Sequence, residues 1–123
     1  MQLILMDSIS AIGPSHSHAF VVTGSHGGVS AAQFVLSCDA YPNVVAFNDA
    51  GVGKANAGIA ALKILEDQGI MALAYSHISA CIGDAKDAWL HGSVSHVNAA
   101  ATAFGVKVGM TIQAAYRVCA ATG

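Results

Sequence analysis

The sequence predicts a single α/β domain spanning residues 1–123, layered α/β/α, with a mostly parallel sheet on a βαβαβ core and a helical C-terminal third. Three observations carry that expectation. Three short apolar runs, Ala19 to Thr23, Asn43 to Phe47 and Ile70 to Tyr75, are rich in β-branched or large apolar residues, as buried strands are. Segments with helix signals separate them, at the spacing of right-handed crossovers. Each run then gives way to a polar turn, glycine-rich after the first two.

Taken in order, Leu3 to Met6 has the make-up of a further strand of unassigned direction. The stretch from Asp7 to His18, with Gly13-Pro14, offers no convincing crossover helix. Ser30-Ala31-Ala32-Gln33 has the spacing of a capping box and predicts a helix to about Cys38. The clearest helix runs from Gly53 or Asn56 to Gln68, with Ile59, Leu62 and Leu65 on one face; Gly69 should end it in a left-handed conformation. The uniformly apolar strands imply helices on both sheet faces. Further on, Asp84 should cap a helix to Leu90 that stops near Gly92, and Ser95 another to Phe104 that stops at Gly105. Thr111 should cap a third, in which Ile112, Ala115, Tyr116 and Cys119 recur at helical spacing. Val106 to Val108 is a further strand candidate.

Hydrophobic residues make up 54% of the 123 and charged residues 10%, which is apolar for a small monomer. No uninterrupted apolar run approaches the ~20 residues of a membrane span. The composition therefore points to a homo-oligomer that covers apolar surface with copies of itself. Met1 to Asp7 has no basic segment and is cut short by Asp7, so no secretory signal is expected there. Three cysteines, odd in number and without a C-x-x-C pair, fit a reducing, cytoplasmic setting better than a disulfide framework or zinc ribbon. A net charge of −2 and five scattered cations argue against nucleic-acid binding.

The chemistry is expected where the three strands end. In an open parallel sheet, Gly24 to Gly28, Asn48 to Gly53 and Ser76 to Asp84 would meet at the carboxyl edge, where such folds hold ligands. Gly27 and Gly28 could expose backbone N–H groups to an anion, with Ser25 beside them; a plain tight turn would explain the same residues. The segment matches neither a P-loop nor a dinucleotide fingerprint. His26 and His77 are the candidate acid–base groups, and Asp49 the candidate base, metal ligand or histidine orienter. Asn48, Gly51, Ser76, Ser79 and Asp84 complete the candidate substrate-binding set. Each has a structural reading beside it: local Asx turns at Asn48 and Asp49, a satisfied core histidine at His77, a helix cap at Asp84. Cys81 reads more readily as a core thiol than as a nucleophile.

The remaining histidines are weaker candidates. His16 and His18 alternate with serine and could share a face, His91 suits a helix C-terminus, and His96 falls in the first turn of the helix expected after Ser95. No H-E-x-x-H pair is present, so neither a metal nor a cofactor is assigned. The expected function is a small-molecule enzyme of hydrolase, lyase or isomerase type, with anionic ligands among the candidates. The alternatives are a non-catalytic anion- or metabolite-binding domain, and a subunit that mainly builds an assembly.

Overall fold

The computed structural model describes residues 1–121 and contains a five-stranded sheet in the order β1-β2-β3-β4-β5. The strands are β1 (Leu3–Met6), β2 (Phe20–His26), β3 (Val44–Asn48), β4 (Met71–Tyr75) and β5 (Val94–Val97). The first four are parallel, and β5 runs antiparallel to β4. The helices are α1 (Val29–Leu36), α2 (Ala60–Glu66), α3 (Ala85–His91), α4 (Ala99–Phe104) and α5 (Ile112–Ala121). Between β1 and β2 there are only short 3-10 turns, Ile9–Ala11 and Pro14–His16.

Side chains alternate across the central strands, as the two-residue period of a strand requires. Val21, Val45, Phe47, Ala72 and Ala74 face α1 and α2, where they meet Ala32, Val35, Leu62 and Leu65. Phe20, Val22, Val44, Ala46, Leu73 and Tyr75 face the other way, against Ala88, Ala101, Ile112, Ala115 and Cys119 of α3, α4 and α5. Helices thus cover both faces of a continuously apolar sheet, as its sequence implies. On the second face Tyr116 meets Phe20 and Trp89 edge to face, and its hydroxyl donates to the Met1 carbonyl.

This topology has a consequence for the carboxyl edge. The chain leaves β3 toward α2 on one face but leaves β4 toward α3 on the other. Adjacent strands whose exits diverge open a crevice between them, the geometric basis of ligand sites in open α/β sheets. Residues 49 and 77 stand at that divergence.

Several local expectations are corrected. No capping box forms at Ser30: Gly28 adopts the extended conformation of an N-cap, placing Ser30 inside α1, and no side chain caps the helix. The helix expected from residue 53 or 56 becomes regular only at Ala60, because Ala55 and Asn56 are left-handed (φ 55° and 60°). Ser95 caps nothing and His96 is in no helix; both lie in β5, and Asn98 caps α4 by accepting from the Ala101 N–H. Asn98 wins because its side chain is also satisfied by Ala72, Leu62 and Ile70 in the core. Val106 to Val108 is not a strand. Asp84 and Thr111 do take their expected places, Asp84 accepting from the Asp87 N–H and Thr111 from the Ala114 N–H. Gly69 is left-handed at the end of the α2 segment, and no described helix is long and apolar enough to cross a membrane.

Close approach at the edge depends on Gly24, where β2 departs from its ladder with β3. A Cβ there would lie 2.5 Å from the Asp84 nitrogen and 2.7 Å from the Asp7 carbonyl oxygen, both backbone atoms. Gly24→Ala should therefore lower unfolding free energy by about 2 kcal/mol or more, since overpacked backbone cannot relax cheaply. Gly13→Ala, with no atom within 4 Å of its Cβ position, should stay within about 0.5 kcal/mol of the parent. Urea unfolding of the two variants checks the contrast.

Candidate functional site

Parallel pairing brings the three turns to one edge: His26 is in register with Asn48, and Asn48 with Tyr75. Within that edge the candidate residues fall into two groups, separated by the loop from Ala50 to Gly58.

The first group centres on Asp49. Its side chain is 7% exposed, whereas that of His77 is 50% exposed. Oδ1 of Asp49 accepts from the Gly51 N–H at 2.8 Å, the His77 N–H at 3.1 Å and the His77 Nδ1–H at 3.1 Å. Oδ2 accepts from the Ser95 hydroxyl at 2.8 Å. Burial, the largest single influence, works to raise the Asp49 pKa. The hydrogen bonds from Gly51, Ser95 and both His77 nitrogens together outweigh it and hold the carboxyl below its ordinary value.

An ionised carboxylate can only accept, so the His77 proton sits on Nδ1 of the neutral ring. Nε2 is then a free base, and among the described residues it has no hydrogen-bond partner. The ring lies over Gly51, whose hypothetical Cβ would be 3.5 Å from Cε1. Gly51 belongs to a run of four residues with positive φ, Ala50 (52°), Gly51 (74°), Val52 (69°) and Gly53 (72°). For Val52 this is a steric outlier, since a β-branched side chain crowds the backbone there. Gly58 fastens the loop: its N–H donates to the Val52 carbonyl, and a Cβ on it would collide with the Asp49 carbonyl.

The second group surrounds a cavity of about 400 Å³ between β2 and α1, lined among others by Ser8, Ser25, His26, Gly28, Ser30 and Ala57. Neither Asp49 nor His77 lines it. The His26 ring lies against Gly28 and is exposed. Gly27 packs closely: a Cβ there would lie 3.1 Å from the Gly58 carbonyl oxygen and 3.2 Å from the Phe47 Cβ. Ser25 Oγ accepts from the Ile9 N–H at 3.0 Å.

Other candidates have structural work. Asn48 is buried, donating to the Ala80 carbonyl and accepting from the Ala50 N–H. Ser76 accepts from the Ile78 N–H, and Ser79 donates to the Ser76 carbonyl while accepting from the Ser93 N–H. Asp84 is the α3 cap. Cys81 is exposed rather than a core thiol. His16 accepts from the Gly13 N–H and His18 lies 3.4 Å from Asn43, so the pair forms no joint site. No group of three or more His, Cys, Asp or Glu residues among those described could hold a metal ion.

Ser95 is the residue that reading the sequence missed. Its signal was a polar pair bracketed by Val94 and Val97: both valines pack on the second core face, and the register shift against Ala74 and Tyr75 turns Ser95 and His96 to the same side.

The depressed Asp49 pKa fixes the sign of a pH effect. Its stabilising contribution is complete above the unfolded carboxyl value, roughly 4, and fades as pH falls through the lower folded value. Asp49→Asn should cost about 2 to 3 kcal/mol near neutrality, because an amide turns N–H groups toward donors. The gap to the parent should narrow below about pH 4, as urea unfolding at pH 7 and pH 3 will read. No family model, curated protein or solved structure matches this chain.

Proposed function

We propose that this chain is a small-molecule enzyme of hydrolase, lyase or isomerase type that moves a proton at His77 Nε2. The single observation behind this reading is the His77 ring itself, held at Nδ1 by a buried carboxylate while Nε2 is unpartnered in a half-exposed side chain. A carboxylate behind an imidazole fixes its tautomer and stabilises the imidazolium that forms when it takes a proton. Asp49 is thus the positioning residue and His77 the base, returning the proton as acid later in the cycle. Among the described residues no serine or cysteine is hydrogen-bonded to Nε2, so the group acted on is a substrate proton or a water.

The cavity beside His26, where α1 begins without a capping side chain, lies apart from His77 and is a separate place for a small anion. The same feature favours the second reading, a domain that binds a small anion without turning it over. The exposed apolar side chains, Ile78 at 85% exposure foremost, support a homo-oligomer, and the odd cysteine count without a C-x-x-C pair supports a cytoplasmic setting.

A panel of ester, hydro-lyase and keto–enol substrates, assayed with parent and variants, tests the enzyme reading. His77→Ala should lower turnover by about 10²- to 10⁴-fold with folding unchanged, and His77→Gln should not restore it. Turnover that survives both replacements excludes His77 as the base; affinity for inorganic phosphate that falls only in His26→Ala, with no turnover anywhere, favours the binder. Sedimentation equilibrium should give a mass above 12.4 kDa by an integral factor.

A further inference from the structure

A second imidazole is attached to the same carboxylate. Ser95 Oγ, which donates to Asp49 Oδ2, also lies 3.3 Å from the Ala74 carbonyl oxygen and 3.0 Å from His96 Nδ1. Carboxylate and carbonyl oxygens accept only, and a hydroxyl has one proton to give. Ser95 therefore spends its proton on one of them and accepts from His96, which must carry its own proton on Nδ1. The neutral His96 ring is thereby held with Nε2 as a bare acceptor, without a partner among the described residues.

His96 and Ser95 line a cavity of about 470 Å³ between β5 and α2, a size that suits a small organic molecule. Its other walls include Ile59, Leu62, Val97 and Val108. Of the polar groups that share it, Asn98, Lys63 and Glu66 are already engaged, while the Asn56 amide is exposed to solvent. Asn98 spends its side chain on backbone groups, accepting from Ala72 and Ala101 and donating to Leu62 and Ile70. Lys63 at the rim is paired with Glu66 at 2.9 Å and Asp67 at 3.3 Å, and Glu66 also accepts from the Ala99 N–H. The rim thus offers no unpaired cation to an anionic guest, and Glu66 is already held by a cation.

We propose that the cavity between β5 and α2 is a second ligand site, built around His96 Nε2, for a small, uncharged, mostly apolar molecule bearing one hydrogen-bond donor. The apolar walls take its body and Nε2 accepts its donor. The site is distinct from the His77 rim and does not depend on turnover there, although both imidazoles lean on Asp49.

The test is an NMR titration with phenol, and with toluene as its donor-free counterpart. Phenol should shift the methyl signals of Ile59, Leu62, Val97 and Val108 and bind about three- to tenfold more tightly than toluene. In His96→Phe that preference should vanish while toluene binding persists. A preference that survives this replacement, or phenol shifts absent from those methyl groups, would overturn the site. The ring nitrogen spectrum of the unliganded protein is a check that needs no variant. A proton on His96 Nδ1 is expected, and one on Nε2 would sink the proposal. Benzoate should bind more weakly than phenol; tighter binding would refute the uncharged class of ligand.

Discussion

The carboxylate of Asp49 is the constraint on which the carboxyl edge depends. A buried anion must be surrounded by donors, and the four it has come from three separate segments: its own turn, the turn after β4, and β5. Satisfying one charge therefore fixes the spacing of three pieces of chain. It also decides the protonation of the groups around it, because an ion that only accepts forces its neighbours to donate. His77 is a directly oriented base for that reason, and His96 an indirectly oriented one through Ser95.

The loop that carries Asp49 is conformationally costly. Ala50, Val52, Ala55 and Asn56 all have positive φ, and such residues cost on the order of 1 kcal/mol or more each. The structure holds them through the Asx bonds of Asn48 and Asp49 and through the tight seat of Gly58. A straightforward helix start at Gly53 would have been cheaper. It would also have carried the chain away without folding Gly51 back beneath the His77 ring, so the unusual backbone and the site geometry come together.

Much of the fold was legible because burial on both sides writes a simple code. Runs such as Val44-Val45-Ala46-Phe47 have no other use, and local chemistry marked Asp84, Gly69 and Thr111. What was illegible depended on competition between nearby signals. Ser95 and Asn98 both look like helix caps, and only the core carbonyls that Asn98 reaches, remote in sequence, settle which one serves. Likewise Ser30 resembles a cap until Gly28, two residues earlier, takes the extended conformation. At the site, the meeting of residues 49 and 77 followed from strand order alone. The separation of His26 from that pair did not, since it depends on the unusual path of the loop between them.

The strand order has a bearing on how the molecule is assembled at the ribosome. Each strand after the first pairs with the one made just before it, so the layer bearing α1 and α2 can consolidate once Tyr75 has emerged. The opposite layer has no such schedule. Phe20 and Val22 wait for α5, whose Tyr116 reaches Phe20 and the Met1 carbonyl only after some forty further residues have followed Tyr75. During synthesis one side of the sheet is finished while the other is bare, and that bare side is where nascent chains would first stick to each other or to a chaperone.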